Sequence, residues 1–170
     1  SKVQAEKRLK LLEDESFKVV ILRPPMIYGK GSKGNYPLLA KLALKLPLFP
    51  RVQNERSMLY IENLCEFVRL TVENEESGTF FPQNSEYSNT SELVKMIAAA
   101  HGKKIKLVGG VSWLLRIMGC FNGLVNKAFG NLTYEKSISC YKSIYEVKKP
   151  NESIEESEKC VYINYKKELK

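Results

Sequence analysis

The 170-residue sequence is 44% hydrophobic and 27% charged, the composition of a folded chain with room for one core. It holds no run of the roughly 18 apolar residues that a membrane-crossing helix needs, and its opening, SKVQAEKRLKLLEDES, is too charged for a secretory leader. The formal charge of +8 raises the question of nucleic acid, but the lysines are scattered and no aromatics interleave with them. A solvated basic surface is expected, with no nucleic-acid partner and room for a phosphorylated small molecule.

Cys65, Cys120, Cys140 and Cys160 are widely spaced, and His101 is the one histidine, so no zinc set is expected. Free thiols in a reducing cytoplasm fit that pattern.

Taken in chain order, Val3, Leu9 and Leu12 stand at helical spacing in the opening segment. FKVVILRPP (17–25) is a β-branched run stopped by two prolines, which predicts a buried strand, and residues 29–36 read as loop. PLLAKLALKLP (37–47) is an amphipathic helix with proline in its first turn. LPLFP and RSMLYI are short extended candidates, and Glu62–Glu73 forms a helix with Leu64, Phe67, Val68 and Val72 on one face. Gly78 turns the chain into the strand GTFFPQ. Asn89 and Glu92 resemble a capping box for a helix that stops at Gly102, with His101 as a cap against the dipole. KKIKLV is a further strand, and an apolar helix around Trp113, Leu114, Ile117, Met118, Phe121 and Val125 would cover core or a subunit interface. The remaining residues hold one or two polar helices. Strands alternating with helices indicate an α/β fold.

Gly29, Gly31 and Gly34 spell G-x-G-x-x-G, the pattern of a dinucleotide-binding turn. Its context fails. The strand is read to end at Arg23, well before Gly29, with Pro24 and Pro25 between. Asn35 and Tyr36 separate Gly34 from the helix opened by Pro37, and Glu55 follows no apolar strand. A loop built to bend is the better reading.

R-P-P-x-x-Y-G at 23–29 and R-S-x-x-Y-I-x-N-L at 56–64 occur together, after Ser1-Lys2. In these segments the chain resembles the NAD-dependent epimerase/dehydratase family of extended short-chain dehydrogenases/reductases, which act on nucleotide-diphosphate sugars. The likeness runs from Ser1 to about Leu107 and more weakly through NESIEES (151–157). It implies the C-terminal part of an extended Rossmann-type fold: the last parallel strands plus a small mixed α/β substrate-binding domain. Residues 1–28 would be the end of the catalytic helix and the sixth-strand remnant, 29–108 the substrate-binding region, and 109–170 a C-terminal helical region.

Ser1-Lys2 matches the end of the family's Y-x-x-S-K signature, so the resemblance makes Lys2 both the catalytic lysine and a ligand of the nicotinamide ribose. The tyrosine would stand three residues before Ser1, and the glycine cofactor loop also upstream. The chain is then expected to be the C-terminal half of a longer enzyme, inactive and without bound NAD by itself. Pro24 and Pro25 would pass the nicotinamide carboxamide. Tyr28, Lys33 and Asn35 would face the substrate, and Arg56 would pair with its diphosphate, a task that suits a guanidinium fork. The whole protein would use NAD or NADP, form a homodimer, and resemble a UDP-sugar 4-epimerase of surface-polysaccharide synthesis. Two departures stand against the family pattern: Met26 replaces a substrate-binding asparagine, and no C-terminal R-x-x-D pair is evident.

On the residues alone, Lys2 reads as a surface lysine; Arg56 could be a strand-end ion-pair residue, Asn35 as readily a turn-former, and Tyr28 a packing residue beneath the loop. Two competing expectations remain: a non-catalytic relative that binds RNA or a protein partner through its basic surface, and a self-contained small domain. A half-enzyme is expected to expose an unpaired strand edge and to be less stable or self-associating.

Overall fold

The computed structural model describes residues 1–110 and 130–168. The expected apolar helix around Trp113 lies outside them, as does Cys120; Cys65 and Cys140 are exposed free thiols. Helix α1 (Lys2–Lys10) opens the chain and buries none of its residues. Val3, Leu9 and Leu12, the predicted inner face, are 53%, 45% and 61% exposed.

Strand β1 (Val20–Leu22) pairs in parallel with β5 (Gly78–Phe80), and Val19 and Ile21 are buried as the β-branched run predicts. After Pro24 and Pro25 the chain resumes as β2 (Met26–Tyr28), parallel to β4 (Met58–Tyr60). A third parallel pair joins β3 (Leu48–Pro50) to β6 (Lys106–Val108). Helix α2 (Asn35–Lys45) follows β2, α3 (Ile61–Glu73) follows β4 without a loop, and α4 (Thr90–Ala100) precedes β6. A 3-10 turn (Ser137–Ser139) leads to α5 (Pro150–Glu168).

The core sits where α4 packs between α2 and α5. Leu93, Val94 and Ile97 of α4 are at most 1% exposed. Burial of each such side chain is worth about 1.5–3 kcal/mol against an exposed reference. Asn89 caps α4 as expected, its side chain accepting from Ser91 N at 2.9 Å and Glu92 N at 3.3 Å. Gly102, at φ +68°, ends that helix in the left-handed conformation that glycine adopts most cheaply.

The reading of the glycine segment needs correction in its context. A strand, β2, does run up to Gly29, and α2 begins at Asn35 directly after Gly34, not at Pro37. Two prolines interrupt only the step from β1 to β2. The dinucleotide arrangement is still absent, because the strand after α2, β3, pairs with β6 and not with β2. Moreover, a Cβ on Gly29 would stand 2.4 Å from Ile61 Cγ2, so the space beside that glycine is filled by α3 and not left for a phosphate.

Candidate functional site

In open parallel α/β sheets, ligands bind beyond the carboxyl ends of the strands. Here Arg23 N donates to Phe80 O at 2.9 Å, adding one rung to the β1–β5 ladder. Pro24 has no N–H to continue it, so the chain leaves the sheet at this end. Pro24 and Pro25 are half-buried there. The Arg23 side chain pairs with Glu6 of α1 and lies 5.9 Å from the Phe81 ring centroid. That pairing holds the Glu6 carboxyl below its usual range. Lys2 precedes Glu6 by four residues, one turn of about 5.4 Å along the same face of α1. Lys2 itself is exposed.

Arg56 comes next to this end through strand register. Met26 pairs with Met58, so Pro24 and Arg56 each precede their paired strand by two residues and share one end of it. Arg56 is only 5% exposed. Its backbone bridges Ser88 and Leu132, and its Nη1 donates to Gly130 O at 3.1 Å. Burial pulls its pKa down from the ordinary arginine value.

The glycine loop leaves from the opposite end of β2, roughly 10 Å along the strand. Ser32 N closes it on Gly29 O at 3.1 Å, and Ser32 Oγ is buried with no partner among the described residues. Lys33 is exposed at its tip. Asn35, half-buried, is the first residue of α2, a terminus with no acidic residue in its first turn. Unsatisfied backbone N–H groups and the positive end of the dipole make such a terminus receptive to anions. Arg56 and the Lys33–Asn35 loop therefore stand at two ends of one strand pair and not side by side.

Tyr28 is placed differently from the expected substrate contact. It is 1% exposed, its ring stacks on Tyr36 at 5.7 Å, and its hydroxyl meets Ser153 Oγ at 2.6 Å and accepts from Asn84 Nδ2 at 3.1 Å. In this conformation it packs beneath the loop, and burial pushes its phenol up. It belongs to a group of residues that the sequence reading missed. Tyr28, Tyr36 and Tyr60 cluster and reach α5 one by one, through Ser153, Glu158 and Glu156. Tyr36 OH donates to Glu158 Oε1 at 2.7 Å while His101 Nε2 meets Glu158 Oε2 at 2.7 Å. His101 thus caps α4 as expected and also ties it to α5. Burial, then the Glu158 carboxylate, drives the Tyr36 phenol far above its ordinary value.

A second set of buried amides fixes the segment after residue 130. Gln83 accepts from Ser57 Oγ at 2.5 Å and donates to Ser139 Oγ at 2.6 Å. Asn63, the asparagine of the R-S-x-x-Y-I-x-N-L motif, is fully buried, donating to Asn84 Oδ1 at 3.1 Å and Lys148 O at 3.0 Å. Its place in that motif was the one signal that could have marked it.

No family model matches the chain. It is 31% identical over 146 residues, 81% of its length, to the UDP-glucose 4-epimerase of Vibrio cholerae, and spans 44% of that enzyme. Among solved structures it resembles MoeE5 in complex with UDP-glucose and NAD (TM-score 0.62, 14% identity), covering 96% of this chain and 55% of that one. It also resembles the NAD complex of dTDP-glucose 4,6-dehydratase from Bacillus anthracis (TM-score 0.60, 15% identity), covering 98% of this chain and 52% of that one. The chain therefore spans about half the length of these relatives. With R-P-P-x-x-Y-G and R-S-x-x-Y-I-x-N-L on paired strands, and the fold of the C-terminal part of extended short-chain dehydrogenases/reductases, the chain belongs to the NAD-dependent epimerase/dehydratase family.

Proposed function

We propose that the whole protein is an NAD(P)-dependent epimerase, dehydratase or reductase of nucleotide-diphosphate sugars, closest in kind to a UDP-sugar 4-epimerase. In this reading residues 1–28 complete the cofactor-binding domain, 29–108 bind the sugar nucleotide, and 109–170 form a helical remainder. The reading rests chiefly on the in-register β2–β4 pair, which lays the two family motifs side by side, with Pro24 and Arg56 at the same end. Likeness to the Vibrio cholerae UDP-glucose 4-epimerase supports the substrate class.

Half-buried Pro24 and Pro25, with Lys2 on the nearby helix, suit the nicotinamide and ribose end of a dinucleotide: an apolar surface beside a cation. The Gly29–Gly34 loop does not suit its pyrophosphate, since Ile61 occupies the space beside Gly29. A bound nicotinamide would supply hydride acceptance and return. Lys2 would hold a ribose hydroxyl and, by its charge, favour the ionised form of a neighbouring tyrosine acting as base. Arg56 would face the diphosphate from a desolvated position, where a charge-assisted bond is strong. Lys33 and Asn35 would meet the nucleotide at the other end of β2, a separation that an extended sugar nucleotide can bridge.

A thermal-shift panel of UDP-, GDP- and dTDP-sugars on the intact protein, with NAD or NADP, tests this. A ligand at about 100 times its Kd should stabilise the protein by roughly 2.7 kcal/mol, and Arg56→Ala should remove most of that gain. If no sugar nucleotide or dinucleotide shifts the melt while RNA does, the non-catalytic reading takes its place.

A further inference from the structure

Charge is unevenly shared along this chain. Residues 16–54 and 93–134 together carry 13 of its 27 Lys and Arg and none of its 19 Asp and Glu. The fold packs these two acid-free stretches onto each other, α2 against α4 and β3 in parallel with β6. Lys103 Nζ donates to Leu44 O at 2.7 Å, and Lys106 N to Pro47 O at 3.1 Å, closing the junction.

Strand alternation then sorts the side chains. Phe49 and the Leu107 opposite it turn into the core, while Leu48, Lys106 and Val108 turn out. Leu46, Leu48 and Val108 are 40%, 53% and 38% exposed, set among the exposed Lys45, Lys104 and Lys106. Four carboxylates on the elements packed against this lobe are engaged elsewhere. Glu158 is 2% exposed and turned onto His101 and Tyr36, Glu155 pairs with Lys159, Glu156 pairs with Lys148, and Glu92, at the far end of α4, pairs with Lys95. The exposed Glu152 lies in the first turn of α5. After Gly110 the sequence keeps the same character, with Arg116, Lys127 and no acid among residues 111–129.

Lysines alone would suit any polyanion. Exposed aliphatic side chains between them favour one: the leucines gain by entering the headgroup–acyl boundary while the ammonium groups meet anionic headgroups. A nucleic-acid surface would instead want aromatic or guanidinium stacking partners, and this face offers aliphatics. We propose that the β3–β6 face, with Lys45, Leu46, Leu48, Lys104, Lys106 and Val108, docks the protein peripherally on an anionic lipid bilayer. It needs no spanning segment, and among the described residues no helix is long and apolar enough to be one.

The test is co-sedimentation of the full-length protein with vesicles of phosphatidylcholine alone, or of phosphatidylcholine and phosphatidylglycerol at two parts to one. Binding should require phosphatidylglycerol and weaken with salt. Each lysine contributes about fivefold to partitioning, so Lys45→Ala/Lys104→Ala/Lys106→Ala should lower it roughly 100-fold. Leu46→Ser/Leu48→Ser changes only exposed side chains and should lower it about tenfold with an unchanged circular dichroism spectrum. Equal sedimentation with both vesicle types, or no effect of either variant, would overturn the proposal. So would binding to a labelled oligonucleotide that the leucine variant leaves intact, with no vesicle binding.

Discussion

Gly29 offers the sharpest test of how the glycine segment is built. Its φ is +152°, and an added Cβ would lie 2.4 Å from Ile61 Cγ2 and 3.1 Å from Ile61 Cβ. Gly29→Ala therefore meets two costs. Strain at a backbone position that side chains rarely adopt contributes about 1 kcal/mol or more, and overpacking typically 1–3 kcal/mol. Together they amount to about 2–4 kcal/mol, or a fall in Tm of roughly 5–15 °C for a chain of this size. Ile61→Ala removes the Cγ2 but leaves the tight Cβ. In the Gly29→Ala/Ile61→Ala double variant, recovery should therefore be partial, with a coupling of about 1–2 kcal/mol. Urea and thermal melts of the four proteins in the cycle measure it. An unchanged midpoint in Gly29→Ala, or zero coupling with Ile61→Ala, would refute the claim that this glycine answers to α3 and not to a phosphate.

Tyr36→Phe removes the hydroxyl that donates to buried Glu158 and should cost about 1–3 kcal/mol in a denaturant melt, because the carboxylate loses a partner it cannot replace with water. Asn89→Ala strips the α4 cap and two bonds donated to the Val52 and Asn54 carbonyls, a loss of about 2 kcal/mol in a denaturant melt. On the acid side, Arg23 holds Glu6, Ser77 holds Glu13 and Ser16 holds Asp14 below their ordinary values of 4.5, 4.5 and 3.8. Their contributions are complete above those values and vanish as pH falls through the lower folded ones, so Tm should drop on that limb. Salt should weaken the Glu6 share more than the Asp14 share. A Tm that stays level through the acid limb would contradict this assignment.

Much of the secondary structure was legible because its signals are local. Asn89, Glu92 and Gly102 bound α4, and the β-branched run at 19–22 gives β1, with no knowledge of what surrounds them. Strand β2 was missed because it is three residues held between prolines and a glycine, and only its pairing with β4 makes it a strand. The start of α2 came two residues early for a related reason: Gly34 precedes its first turn, while Pro37 merely tolerates it. Tyr28 shows the limit for the site. Its motif position suggests a ligand contact, yet Ser153, 125 residues on, claims its hydroxyl. Arg56 stands out in its motif, but its burial between Ser88 and Leu132 depends on long-range bridges that no local pattern encodes.

The most direct measurement of the central claim is a product assay on the intact protein. Purified protein is incubated with UDP-glucose, UDP-N-acetylglucosamine or dTDP-glucose and NAD or NADP, and the sugar product is resolved by chromatography or proton spectra. The proposed activity predicts conversion of at least one of these, lost in Lys2→Ala and strongly weakened at limiting substrate in Arg56→Ala. No altered sugar from any of them, together with no binding of sugar nucleotide or dinucleotide, would contradict it.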